Sequence, residues 1–150
     1  MSIGRNVVVQ KYSWLFAGKF DDHEPELIIE SGCAIGDFNH IVAIHKVHIG
    51  KNVLTANRVY ISDNVHNYDD IQTPIMHQGV SFKGEVSIGD GTWIGENACV
   101  IGAKIGKNCV IGANAVVTND IPDYCVAVGI PARVIKRFSK DTQQWEKVKV

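Results

Sequence analysis

The chain has 150 residues, of which 45% are hydrophobic and 21% charged, and its formal net charge is −1. This fits one domain with a packed core and excludes a disordered chain. The near-neutral balance gives no electrostatic ground for nucleic-acid binding, and no apolar run approaches the roughly 20 residues that span a bilayer.

The opening, MSIGRNVVVQKY, lacks the long apolar segment and small-residue cleavage site of a signal peptide, so a cytoplasmic protein is expected. Ile3 to Phe20 contains strand-like runs, and Asp21 to Glu26 is a polar turn. Together, residues 1–26 read as an irregular first coil.

From Leu27 a six-residue beat takes over. Ile29, Ile35 and Ile41 set it, Ile49, Thr55 and Ile61 resume it after two extra residues, and Ile88, Ile94, Val100, Ile105, Ile111 and Val117 form a second block. Four residues after most of these comes a second inward position, such as Cys33, Asn39, Val59, Ala98 or Cys109. A period of six is neither the 3.6 of a helix nor the 2 of a plain strand. It fits a short strand plus a bend, three of which close a triangular coil that stacks as a parallel β-solenoid. The repeat covers 27–66 and 84–121. Between them, residues 67–83 read as a long protruding loop, a length that is usually functional in a compact domain. Residues 122–138 form a C-terminal segment. Residues 139–150 read as a short helix capped by Ser139, or as a loose tail. Cys33, Cys99, Cys109 and Cys125 form no CxxC pair and read as small thiols in a reducing compartment.

Three stretches, ISDNVHNYDDIQTPI, GTWIGENACVIG and IGANAVVTNDIPDYCVAVGIPARVIKRF, resemble the hexapeptide-repeat acyltransferases. The chain is most similar to the galactoside, maltose and surface-polysaccharide sugar O-acetyltransferases of that family. The resemblance covers roughly Leu27 to Phe138. It implies an all-β fold, a left-handed parallel β-helix of about five coils; handedness rules for crossovers alone would favour the opposite hand. It also implies acetyl-CoA as acyl donor, a sugar or glycan acceptor, no metal, and a homotrimer with active sites between subunits. The N-terminal helical domain of the maltose-type enzymes is not expected in these residues, because too few precede Leu27.

Acetyl transfer from a thioester to a hydroxyl needs a base, donors for the oxyanion, and two substrates held together. By resemblance the base is His66, which follows the inward Val65 and opens the interruption. Histidine suits the role because its ordinary pKa lies near neutrality. Asp63, Asp70 or a backbone carbonyl would orient it. Tyr68 would stack on the acceptor, and Asp37 and Asn39 match sugar-contacting positions, although Asn39 also fits an interior ladder. For the coenzyme the resemblance points to Trp93, Glu96, Ala113, Thr118 and Asn119, with Arg133 and Lys136 facing its phosphates. Glu96 stands where the sugar enzymes often have serine, and Asn119 where they usually have lysine. Two rival readings stay open. The spacing of His40 and His45 also occurs in γ-class carbonic anhydrases, zinc hydratases on the same fold, with His66 or His23 as a third ligand. A non-catalytic β-helix scaffold would bind neither coenzyme nor metal.

Overall fold

The computed structural model describes residues 1–148. Each hexad supplies one side of a coil before the chain bends, so the strands are short. The first coil is β1 (Ser2–Ile3), β2 (Val8–Val9) and β3 (Trp14–Ala17). The second is β4 (Glu26–Ile29), β5 (Ala34–Ile35) and β6 (His40–Ala43), and the third β7 (Lys46–Ile49), β8 (Leu54–Thr55) and β9 (Tyr60–Ser62). A hairpin follows, β10 (Asn64–His66) and β11 (Val80–Phe82). Then come the fourth coil, β12 (Val86–Ile88), β13 (Trp93–Ile94) and β14 (Cys99–Ile101), and the fifth, β15 (Lys104–Ile105), β16 (Val110–Ile111) and β17 (Val116–Val117). The chain ends in β18 (Cys125–Val128), β19 (Arg133–Ser139) and β20 (Gln144–Lys147).

Corresponding strands stack in parallel on three faces of a prism. The first face is β1-β4-β7-β12-β15, the second β2-β5-β8-β13-β16-β18 and the third β3-β6-β9-β14-β17. Register pairs identical repeat positions, as in Ile94 with Ile111 and Ile41 with Ile61. The aliphatics therefore form columns inside the prism, and Ile35, Ile41, Ile61, Ile94 and Ile111 are fully buried. Burying one such side chain contributes about 1.5–3 kcal/mol. Interior polar groups are satisfied between coils. Thr92 Oγ1 donates to Gly106 O and accepts from Cys109 N. Two corners turn through left-handed residues, which explains the recurring Gly and Asn. Gly32, Asn52, Gly91 and Asn108 occupy one such column at φ of 80°, 54°, 70° and 45°.

The first coil departs from expectation. Ile3, Val9 and Leu15 keep the six-residue beat and pair with Ile29, Ile35 and Ile41. An end coil has a neighbour on one side only, so Ile3 stays 50% exposed and its regularity is hidden from composition. The terminus also differs, since the expected helix or loose tail does not form over the described residues. Instead β19 turns back antiparallel to β18, and β20 pairs antiparallel with β19, matching Phe138 with Trp145. The open edge of β18 offers backbone groups that a strand can satisfy and a helix cannot. Ser139, expected as a helix cap, accepts Thr142 N–H in the turn between β19 and β20. Lys149 and Val150, the end of the expected tail, lie outside the described residues.

Candidate active site

The third corner carries every change of repeat length, from Leu15 to Ile29, Ile41 to Ile49, Ile61 to Ile88 and Val100 to Ile105. Here the hairpin leaves the prism, and Asp63 fixes the point of departure. This aspartate is fully buried. Its carboxylate accepts N–H groups from Ile44, His45 and Lys46, at 2.8 Å from the last two, and the Asn64 amide at 2.9 Å. Its carbonyl accepts Lys83 N–H at 2.7 Å. Exit and return are thus tied to one residue.

The expected loop, 67–83, springs from a short two-stranded ribbon whose register opposes His66 to Val80; residues 67–79 are loop with one 3-10 turn, Ile75–His77. Val65 is only half-buried on β10, not an inward valine of the prism; the last inward aliphatic before the ribbon is Ile61. Beyond His66 the tip is held by polar contacts. Asn67 Nδ2 donates to Gln78 O, and the Gln78 amide donates to the carbonyls of Asp70 and Thr73. Asp70 accepts Thr73 Oγ1–H at 2.6 Å and Gln72 N–H at 2.8 Å, which hold its carboxyl below the usual range. Both aspartates therefore serve the backbone, and neither orients His66.

His66 is exposed on a cavity of about 270 Å³. The walls come from the third face and the first connector, namely Trp14, Phe16, Phe20, His40 and Tyr60, with Val42, Asn64 and Val80. The His40 ring stacks on Trp14 at 4.4 Å and 11°, and tilts against Tyr60 at 5.2 Å. Its buried Nε2 has no hydrogen-bond partner among the described residues, and burial pushes its pKa down. The sequence reading missed this wall, although its signal is present. Trp14, His40 and Tyr60 occupy the same repeat position, each preceding an inward aliphatic, and they pair in one row.

The other predicted residues are spread around the prism. Asn39 is buried, and its amide donates to Gly36 O at 2.7 Å and Ala56 O at 3.0 Å while accepting Val59 N–H. It is an interior ladder residue and reaches no substrate, contrary to one expectation. Asp37 sits on the corner between the second and third faces, where it accepts Lys11 N–H. It does not line the His66 cavity, and neither does Tyr68, which is 69% exposed at the ribbon tip. Trp93 stands out from the second face, in a row that runs through Val110 and Val126 to Lys136. Glu96 and Ala113 lie on the corner beside that face, where the Glu96 carboxylate pairs with Arg58 at 3.2 Å. Thr118 and Asn119 follow β17 at the third corner, and Arg133 is exposed at the start of β19. Within one chain these residues face two sides of the prism.

His40 and His45 do not converge. His45 Nε2 lies 2.6 Å from Asp21 Oδ2, and its ring stacks on His23 at 3.9 Å and on Phe82 at 4.2 Å, lining a second cavity. Within one chain His40 and His45 therefore share no metal site.

The model of a family described as "Hexapeptide repeat of succinyl-transferase" matches residues 85–119. An Escherichia coli K12 protein named for O-acetyl transfer in lipopolysaccharide biosynthesis is 37% identical over 75% of this chain and 61% of its own length. The Escherichia coli K12 galactoside O-acetyltransferase is 38% identical over 66% of this chain and 48% of its own. A crystal structure of a maltose O-acetyltransferase from Clostridium difficile 630 is 30% identical, covering 93% of this chain and 67% of the other, with a TM-score of 0.58. A galactoside acetyltransferase in complex with coenzyme A is 28% identical, covering 99% and 72%, with a TM-score of 0.72. This chain belongs to the hexapeptide-repeat acyltransferase family, and its prism is the left-handed parallel β-helix of that family. It spans 61% and 48% of the two curated relatives just described.

Proposed function

We propose that the chain transfers an acetyl group from acetyl-CoA to a hydroxyl of a sugar or sugar-containing glycan, with His66 as general base. The observation that carries this reading is His66 itself, exposed at the mouth of an aromatic-walled cavity and carried on a ribbon that Asp63 fixes to the prism. A free imidazole nitrogen there removes the acceptor proton as the hydroxyl oxygen attacks the thioester carbonyl. The tetrahedral intermediate collapses with cleavage of the C–S bond, and coenzyme A leaves as thiolate, which takes up the proton. Transfer is direct in a ternary complex: Cys33, Cys109 and Cys125 are buried, and Cys99 and Cys109 have their thiol pKa raised by burial. Trp14 and Tyr60 offer flat faces for a sugar ring.

The coenzyme candidates occupy two sides of one prism. That placement is intelligible if three chains pack side by side, with Trp93, Ala113 and Lys136 of one facing Thr118 and Asn119 of the next across a groove. A homotrimer with interfacial sites is therefore part of the proposal, as is the coenzyme complex seen in the galactoside acetyltransferase. The direct test is thiol release from acetyl-CoA across a panel of free sugars, sugar nucleotides and amino sugars. Acceptor-dependent release with a hydroxyl sugar supports the reading. Release confined to amino sugars replaces O- with N-transfer, and absence of coenzyme binding removes the enzyme reading.

A further inference from the structure

The connector between β3 and β4 brings a second constellation together at the base of the hairpin, against Phe82. Asp21 and His23 come from the connector, and His45 from the corner between β6 and β7. His45 Nε2 lies 2.6 Å from Asp21 Oδ2, and His23 Nδ1 lies 3.2 Å from Asp21 Oδ1. The three donor atoms lie within 4.8 Å of one another. His45 is sandwiched between His23, at 3.9 Å and 28°, and Phe82, at 4.2 Å and 20°. Its side chain is 16% exposed, and Asp63 holds its backbone N–H.

We propose that Asp21, His23 and His45 bind a divalent cation of the Zn²⁺ type, which clamps the connector against the base of the hairpin. Two imidazole nitrogens and one carboxylate oxygen are the donors that Zn²⁺ and Co²⁺ take, whereas Mg²⁺ and Ca²⁺ prefer oxygen throughout. Three protein ligands leave a position for water, and the adjoining cavity of about 550 Å³ supplies it. The other carboxylates lining that cavity each face a lysine: Glu24 pairs with Lys19, and Glu26 and Glu85 lie 3.9 Å from Lys46 and Lys104. One ligand, His45, is fixed by its neighbours before the ion arrives, so ordering is confined to the exposed connector. The clamp has a consequence for the first cavity. Phe20 precedes Asp21 and forms part of the His66 cavity wall, so holding Asp21 in place holds that wall. The proposal is independent of acyl transfer.

The test uses the chelator-treated 150-residue chain and the metal alone. Calorimetric titration with Zn²⁺ should show one ion per chain. Binding should weaken at least tenfold in His23→Ala and in Asp21→Asn, and should persist in His66→Ala. Zn²⁺ should also slow tryptic cleavage after Lys19 several-fold in the parent protein and not in His23→Ala. Should either variant fold poorly, Co²⁺ bound to the parent protein reads the site directly through its visible d–d bands. No saturable binding, equal affinity in His23→Ala, or absence of those bands leaves Asp21 and His45 as a plain hydrogen-bonded pair and overturns the site.

Discussion

Buried Asp63 decides how His66 is presented. Asp63 satisfies three backbone donors at the corner before β7, and the carboxylate is sealed from solvent. An unsatisfied buried donor costs about 1–3 kcal/mol. Asp63→Ala should therefore lose about 2–4 kcal/mol in urea unfolding and should also lower turnover by loosening the ribbon. A loss below about 0.5 kcal/mol, the scale of an ordinary surface substitution, contradicts the role given to Asp63. His40 carries a pH dependence. Its folded pKa is depressed by burial, so the neutral ring is favoured in the fold. The resulting stability is complete above the unfolded value of about 6.5 and is lost as pH falls through the folded value. Of the groups facing it, Trp14 bears no titrating charge, and Tyr60 and His66 share the cavity. Urea midpoints at pH values about one unit above and one unit below that unfolded value should differ less in His40→Phe than in the parent chain. An equal difference in both means the acid sensitivity lies elsewhere.

At the scale of elements the prism was legible, because a buried column has to repeat an aliphatic at every coil. The beat located Ile29 through Val117. Truncating one column, as in Ile111→Ala, should cost about 2–5 kcal/mol by denaturant unfolding; a cost near zero would mean the interior is not close-packed there. The beat was lost where neighbours are missing. Ile3, Val9 and Leu15 keep the period, but an end coil needs no apolar outer face, and the surrounding residues obscure it. The ribbon and β20 were illegible for other reasons. The ribbon pairs only with itself and carries no inward aliphatic to keep the beat, whereas β20 is set by which backbone edge of the assembled prism is free to accept a strand. The site divided along the same line. His66 could be found from the break in rhythm, whereas the Trp14, His40 and Tyr60 wall appears only when coils are laid in register. Asn39 was misassigned because a polar residue at an inward position serves a ladder and a substrate equally well in sequence.

The whole molecule is a prism with one irregular edge. Insertions collect at the third corner, and both cavities lie beside it. Large apolar side chains also remain exposed away from that edge, as Leu54 and Trp93 do on the second face. Such patches on a folded chain mark contact surfaces. Sedimentation equilibrium should return three times the chain mass of 16.5 kDa; a monomer at micromolar concentration would contradict interfacial active sites. The central claim is that His66 takes the acceptor proton, and its most direct measurement is thiol release by His66→Ala with a productive acceptor, alongside coenzyme affinity. General-base help is worth ~10²–10⁴-fold, so turnover should fall at least about a hundredfold while coenzyme binding stays within about twofold. A fall of less than about tenfold would contradict the assignment.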